Sequence, residues 1–425
     1  MSLSFRPQNP QDAFCAARIS RRKGNSKYSR EVERMKYLDS IDVSGKRVFV
    51  RVDFNVPMDK SGQVKDDTRV KASLTTINYI REKGARVIVA SHLGRPKGKK
   101  VEEFSLKPVA PVFSSLLKKD VPFIDDCIGE KVLEAVAAMQ AGDVILLENL
   151  RFYPGEDKND DAFAQELAKL CDVYINDAFA VSHRAAASNT AITKFVPVCA
   201  AGFLLKNEIE YFNKAMGNPA RPLAAVIGGA KVSDKIKVLE NVIDKVDRLV
   251  VGGGMAFTFL KAQGYNVGKS LCETDMLDLA RTILEKAKAK NVQFLLPVDA
   301  VIAQTPAADA EVKVVDVQNI PDDWMGLDIG PATIAAFSDA VKSAKTIVWN
   351  GPLGMFELAP FAKGTFSLVD AAVASGALTI VGGGDTDTAI HKTGKSDKIS
   401  YISTGGGAFL ELLEGKTLPA VAALG

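Results

Sequence analysis

The chain has 425 residues, 47% hydrophobic and 25% charged, an ordinary globular composition with length for two or three domains of roughly 150 residues each. No apolar run reaches the ~20 residues that span a bilayer, and the five scattered cysteines form no CxxC pair, which argues against a zinc site or a disulfide framework and fits a reducing cytoplasm. The net charge of +3 sits at the N-terminus: residues 1–34 hold eight Arg and Lys against three acids, so the rest is mildly acidic and gives no reason to expect nucleic acid as a partner.

Residues 1–34 are rich in Arg and Ser and show no periodicity. A disordered tail, a weak transit peptide and an upstream start before Met35 compete as readings. The last is favoured, with disorder as its physical consequence. From Met35 onward, short apolar runs alternate with amphipathic stretches. Strands are expected at 48–52, 86–91, 144–147 and 173–176, with helices at 68–83 and 160–170. A helical linker at 202–216 ends at Gly217, Pro219 and Pro222. The second half repeats the pattern, with strands at 223–227, 248–251, 293–296, 346–349 and 378–381 and helices that include 275–288 and 333–343. Such alternation predicts an α/β chain: two Rossmann-like, three-layer parallel-sheet domains joined by a helix and a hinge. The expected partition is an extension (1–34), a first domain (35–203), an interdomain helix (204–216), a second domain (217–403) and a C-terminal hinge and helix (404–425).

Four strands of the second half run straight into glycine clusters: AVIGGAK (225–231), LVVGGGM (249–255), IVWNGPLG (347–354) and TIVGGGDT (379–386). Ligands of open parallel sheets bind at the carboxyl ends of strands. Glycine there lets backbone amides approach phosphate at the positive end of a helix. Four such turns on one rim point to a nucleotide or a phosphorylated ligand. GYNVGKS (264–270) is not a Walker A loop, because it is one residue short and follows a helical stretch, and no GxGxxG follows a strand. Lys231 and Lys235, four apart, are expected on one face of a starting helix, where they could hold a moving phosphoryl group. Asp385 after Gly384 suits a magnesium ligand and equally a helix N-cap; residue chemistry leaves both open.

The first half is basic where the second is glycine-rich. RVDFNVP (51–57), SHLGRP (91–96), ENLRFYPGE (148–156) and NDAFAVSHR (176–184) put Asp53, Asn55, His92, Arg95, Arg151, His183 and Arg184 at strand ends, and Arg69 opens a helix. Arginine suits phosphate and carboxylate through its planar fork. His92 and His183 read as hydrogen-bond partners of a bound anion, and His391 is given no role. No nucleophile–base pairing is present. Phosphoryl transfer to or from a carboxylate, already ionised at neutral pH, needs none, because positioning and charge neutralisation suffice.

Taken together, VRVDFNVP, SHLGRP, ENLRFYPGE, GGAKVSDKI, GGGMAFTFLK, GLDIGP, VWNGPLGMFE, GGGDT and STGGGAFLELLEGK resemble segments of the phosphoglycerate kinase family, in that family's order and across nearly all of residues 35–425. The resemblance implies magnesium-dependent phosphoryl transfer from 1,3-bisphosphoglycerate to ADP, giving 3-phosphoglycerate and ATP, in a cytoplasmic monomer with small-molecule substrates and no membrane. It implies that Asp53, Phe54, Asn55, Arg69, His92, Leu93, Gly94, Arg95, Arg151 and Arg184 contact the phosphoglycerate, with Arg69 stabilising the group in transit. By the same resemblance Gly229, Ala230, Lys231 and Lys235 approach the nucleotide phosphates. Gly253, Gly326, Gly351, Leu353 and Glu357 shape the adenosine pocket, with Glu357 on the ribose. Gly383, Gly384, Asp385 and Thr386 meet phosphate and metal, with Asp385 on Mg2+. Ala186 stands where members of the family often carry a histidine, which weakens the role of that histidine cluster but not of Arg184. A non-catalytic anion clamp and a carboxylate kinase for another acid remain as competing readings, separable by turnover and by substrate competition.

Overall fold

The computed structural model describes Val32, Arg34 and residues 35–425. The expectation for residues 1–34 lies, apart from Val32 and Arg34, outside the described residues. Two six-stranded parallel sheets organise the chain, each with helices packed on its faces. The first comprises β1 (Arg47–Arg51), β2 (Arg86–Ala90), β3 (Phe123–Ile124), β4 (Val144–Leu147), β5 (Val173–Asn176) and β6 (Val198–Ala201), in the order β3-β4-β2-β1-β5-β6. The second comprises β7 (Leu223–Ile227), β8 (Arg248–Val251), β9 (Gln293–Leu295), then, beyond a separate small sheet, β13 (Thr346–Asn350), β14 (Leu378–Gly382) and β15 (Tyr401–Ile402), in the order β15-β14-β13-β7-β8-β9. The central strands are buried along their length, as in β4 and β7, because helices cover both faces; this is why they read as unbroken apolar runs. The fold class is the one expected.

Strand order decides which turns become neighbours. In the first sheet the direction of winding reverses between β1 and β5, and in the second between β7 and β13. The four basic turns follow β4, β2, β1 and β5, which are consecutive strands. The four glycine turns follow β14, β13, β7 and β8, also consecutive. Each set therefore forms one continuous rim at a switch point, where open α/β sheets place their ligands.

An antiparallel sheet of β10 (Asp299–Ala303), β11 (Lys313–Asp316) and β12 (Met325–Ile329), in the order β11-β10-β12, was not expected. It shares a satellite core with Phe257, Leu260, Val267 and Trp324. The 264–270 segment follows the Met255–Ala262 helix, and Ser270 spends its hydroxyl accepting the Gly326 amide at 2.9 Å, so the rejected phosphate loop is a structural turn.

Between the lobes runs the Phe203–Met216 helix, with Leu205, Ile209, Phe212 and Met216 on its buried face. Asp177, at the end of β5, caps it by accepting the amides of Leu204 and Leu205 at 2.9 and 3.2 Å. Tyr211 stacks on Tyr401 at 4.3 Å, and Phe212 meets Phe409 edge-on at 6.1 Å. The Gly406–Leu413 helix then touches both lobes. A side chain at Gly405 would strike Phe179, and Leu413 accepts from the Asn241 amide group at 2.6 Å. The last turn returns to the first lobe, where the Ala420 amide donates to the Ser182 carbonyl at 3.2 Å.

Candidate active site

Of the cavities along these rims among the described residues, two take in most of the expected site residues. The first, of about 580 Å3, is walled by Asp53, Asn55, Arg69, His92, Gly94, Arg95, Arg151 and Arg184 on one side and by Gly383, Gly384, Asp387, His391 and the 402–407 segment on the other. The chain ends of β1, β2, β4 and β5 thus bring the expected basic residues together, and the second lobe closes over them.

The basic wall is wired internally. Asp53 Oδ2 accepts from Arg69 Nη1 at 2.6 Å. Asn55 Oδ1 accepts the Gly94 amide at 2.8 Å, locking two turns together. Arg151 is nearly buried, donates to the Gly94 carbonyl at 2.9 Å and lies 3.2 Å from Asp157, while Arg95 and Arg184 stand exposed. Burial, reinforced by Arg51, Arg151, Arg69 and Arg184, drives the His92 pKa well below the usual imidazole range, so the ring is neutral. Its Nδ1 lies 3.2 Å from Arg51 Nη2. His183 is likewise depressed by burial and by Arg184, whose Nε donates to its Nε2 at 3.2 Å. Both histidines serve as neutral hydrogen-bonding groups, not as cations.

Two expected contact residues do not reach the cavity with their side chains. Phe54 is fully buried and packs edge-on against Phe113 at 5.2 Å, and Leu93 lies in the same core. Apolar side chains beside a basic rim are drawn inward by the hydrophobic effect. Only their backbone is left to offer.

The second cavity, of about 470 Å3, is largely apolar and is lined by Gly229, Ala230, Gly253, Gly326, Leu353, Glu357 and Asp385, whereas Gly351, expected beside the adenosine, is not among its lining residues. Gly253 has φ +71° and sits so close that a Cβ would fall 2.6 Å from the Gly229 carbonyl. Gly351, at φ +99°, is pressed against the Gly228 carbonyl in the same way, so the turns after β7, β8 and β13 are stacked backbone on backbone. Gly326 faces the Phe257 ring, which leaves no room for a side chain.

The lysines and the metal candidate need correction in their local structure. The helix after β7 is Ile236–Ile243, so Lys231 and Lys235 precede it instead of sharing one of its faces. Lys231 is exposed. Lys235 is half-buried and donates to the side-chain amide oxygen Oδ1 of Asn350; burial lowers its pKa against the opposing pull of Asp234, Asp385 and Glu414. Gly383 is the N-cap of the Gly384–Lys392 helix, so Asp385 lies in the first turn and does not cap. Thr386 is fully buried, and its hydroxyl accepts the Gly351 amide at 2.7 Å, joining the turns after β13 and β14 in place of facing a ligand.

Asn350, at the end of β13, escaped notice although it immediately precedes the glycine turn of IVWNGPLG. Its amide group donates to the Gly382 carbonyl at 2.7 Å and its oxygen receives Lys235. His391 also lines the first cavity, 3.2 Å from Asp387. One helical turn separates it from Asp387, a spacing visible in the sequence.

The family described as Phosphoglycerate kinase matches residues 38–416. The chain belongs to the phosphoglycerate kinase family. It is accordingly a phosphotransferase with the glycolytic role of that family. A phosphoglycerate kinase of Geobacter sp. (strain M21) is 59% identical over 391 residues, covering 92% of this chain and 98% of the relative. That of Geotalea uraniireducens (strain Rf4) is also 59% identical with the same coverage. Among solved structures, phosphoglycerate kinase from Coxiella burnetii superposes with a TM-score of 0.86 at 46% identity, covering 92% of this chain and 98% of that one. The Pyrococcus horikoshii OT3 enzyme does so with 0.79 at 34%, with the same coverage.

Proposed function

We propose that the basic cavity binds 3-phosphoglycerate or its acyl phosphate, that the apolar cavity binds the adenosine of ADP or ATP, and that the N-terminus of the Gly384–Lys392 helix lies on the path of the transferred phosphoryl group. One observation carries this reading. Gly383 and Gly384 wall the first cavity while the next residue, Asp385, lines the second. Helix N-terminal amides and the aligned dipole stabilise phosphate oxygens at the junction.

In this reading Arg95, Arg151 and Arg184 hold the anionic acid, and Arg69, steadied by Asp53, covers the charge of the group in transit. Neutral His92 and His183 hydrogen-bond without competing for the anion. Lys231 and Lys235 neutralise the nucleotide phosphates from the turn after β7. Glu357 accepts from the ribose hydroxyls. The acceptor is a carboxylate, so no proton need be removed before in-line transfer.

Among the described residues no three His, Cys, Asp or Glu side chains form a metal cluster. A lone carboxylate beside phosphate-binding amides suits Mg2+ that arrives with a nucleotide and takes its other ligands from phosphate and water. Asp385 would hold it, and the ion would supply charge neutralisation on the phosphate oxygens.

The domain reading follows. Residues 35–203 bind phosphoglycerate and 217–403 bind nucleotide, 204–216 connect them, and 404–425 act as hinge and return helix. Closure excludes water from the acyl phosphate. The protein works as a cytoplasmic monomer; the free cysteines among the described residues fit a reducing compartment. The test is ATP formation from ADP and 1,3-bisphosphoglycerate with Mg2+ present and then chelated. Binding of both ligands without turnover would refute the reading.

A further inference from the structure

Asp328 lies on β12 behind the apolar cavity, 3% exposed, and lines its wall. Its two oxygens are treated differently. Oδ2 accepts the Gly364 amide at 2.7 Å, in the first turn of the Lys363–Ser375 helix. Oδ1 is buried and has no hydrogen-bond partner among the described residues. The space around it is made by two glycines: a Cβ at Gly354 would fall 2.1 Å from Oδ1 and one at Gly364 2.2 Å from it. The Phe361 carbonyl oxygen lies 2.7 Å from the same Gly354 position, within the immediate surroundings of Oδ1.

The charged groups on the surrounding elements do not compensate the carboxyl. Asp299 on β10 is engaged by Thr333 and the amide of Ala332. Glu357 on the 351–364 loop, Lys363 at the start of the helix and Lys269 across the cavity are all exposed. No ion pair to Asp328 is present among the described residues, and its proton affinity is governed by burial, which raises the pKa to about 7 against the amides of Gly364 and Ile329. An unpaired buried carboxylate oxygen is costly, whereas a carboxylic acid gains a donor there.

We propose that Asp328 is a positioning residue of the nucleotide pocket, which as a neutral carboxylic acid fastens the 351–364 loop to β12 and so keeps the adenosine wall in shape. The inference rests on the apolar cavity being the adenosine site. Several hydrogen bonds fasten the loop, among them the Gly351 amide to Thr386 Oγ1 at 2.7 Å, the Gly253 amide to the Leu353 carbonyl at 3.0 Å, the Met355 amide to the Leu327 carbonyl at 2.8 Å, the Leu353 amide to Thr365 Oγ1 at 3.0 Å, and Gly364 to Asp328. Only the last can ionise. Loss of the proton leaves two lone pairs facing a dry wall and works against the loop position that forms the pocket with Leu353 and Glu357. Adenosine affinity therefore falls as pH rises through neutrality, while phosphoglycerate affinity, set by arginines in the other lobe, does not follow it.

Adenosine itself is the probe, because it keeps one charge state from about pH 6 to about pH 9 and any titration seen belongs to the protein. Calorimetry on the full wild-type chain is expected to show about tenfold or more weaker binding at the alkaline end, the competent fraction setting the apparent affinity. Asp328→Asn, whose amide can accept from Gly364 and donate in place of the acid proton, is expected to hold the low-pH affinity throughout. Leu271→Trp, at the exposed mouth of the cavity, is expected to weaken adenosine equally at every pH. A flat wild-type profile overturns the proposal even if no variant folds, and so does an Asp328→Asn profile that keeps the wild-type slope. If Leu271→Trp binds adenosine as the wild type does, the cavity is not the adenosine site, and the proposal falls with that assignment rather than on its own.

Discussion

Asp53 and Arg69 form an ion pair of 2.6 Å in which the carboxylate side chain is 7% exposed and the guanidinium 38%. One Nη is thereby committed to the protein, and the remaining donors of the fork are left to face the basic cavity. A half-open, pre-aimed guanidinium can follow charge as it develops on a transferring group without first paying to be ordered.

Arg69→Ala is accordingly expected to lower kcat by about 100- to 1000-fold and to leave the thermal unfolding midpoint close to wild type. Arg69→Lys, which keeps the charge and loses the fork, should fall between the two. A coupled assay of ATP formation decides it, and near-normal turnover in Arg69→Ala would contradict the role.

Lys231 and Lys235 should separate experimentally. Lys231 is exposed, so Lys231→Ala is expected to change stability by no more than about 0.5 kcal/mol while reducing kcat. Lys235 is half-buried and tied to Asn350, so Lys235→Ala should both raise the KM for nucleotide and destabilise the fold. Paired urea titrations and steady-state kinetics check this; equal effects on stability would count against it.

Removal of Mg2+ by EDTA is expected to abolish turnover. Asp385→Ala should shift the Mg2+ concentration giving half-maximal rate upward by about tenfold or more, one lost charge-assisted ligand contact being worth about 1.5–3 kcal/mol. A magnesium titration at saturating substrates reads the shift directly. An unchanged midpoint would remove Asp385 from the metal.

Glu208, in the buried face of the Phe203–Met216 helix, accepts from the Thr404 amide and hydroxyl at 2.7 and 2.8 Å, and burial raises its pKa to about 7. Between its ordinary value and about 7 the folded chain binds more protons here than the unfolded chain, so this group's contribution to stability is lost as pH rises through that window. Glu208→Gln should therefore be more stable than wild type at pH ~8, by on the order of 2 kcal/mol, and close to it at pH ~5. Urea midpoints at both pH values test the sign; the opposite order would show that the ionised carboxylate is the stabilising form.

His92 works in the other direction. Burial and four arginines keep it neutral in the folded chain, whereas the unfolded imidazole protonates near its ordinary value. Stability from this group is present above that value and is lost as pH falls below it. His92→Gln should flatten the acid limb of the stability profile. A proton resonance of His92 titrating near the ordinary imidazole value in the folded protein would contradict this.

Much of the architecture was legible because burial leaves a mark on composition. The strands at 144–147, 173–176, 223–227 and 248–251 match the structure to the residue, being Val/Ile/Leu-rich segments sealed on both faces. The two-residue edge strands β3 and β15, the small-residue strand β6 and the antiparallel β10–β12 sheet left no comparable signal, since short or half-exposed strands do not need such runs. The basic cluster and the glycine rim were legible as residue types at strand ends. The burial of Phe54, Leu93 and Thr386 was not, because whether a side chain beside a turn faces cavity or core depends on what packs opposite. The Lys231 and Lys235 placement failed for a related reason: the helix after β7 starts only at Ile236.

The amino-acid sequence alone determined the alternation of strands and helices, the basic character of one set of turns and the glycine character of the other, because these follow from local periodicity and residue chemistry. Only the tertiary structure decided that β4-β2-β1-β5 and β14-β13-β7-β8 are neighbours, that the two cavities meet at Gly383, Gly384 and Asp385, and that Asp328 lies uncompensated behind one of them. Strand order, and the desolvation that sets the state of a buried acid, arise from contacts between residues far apart in the chain, which no local pattern records.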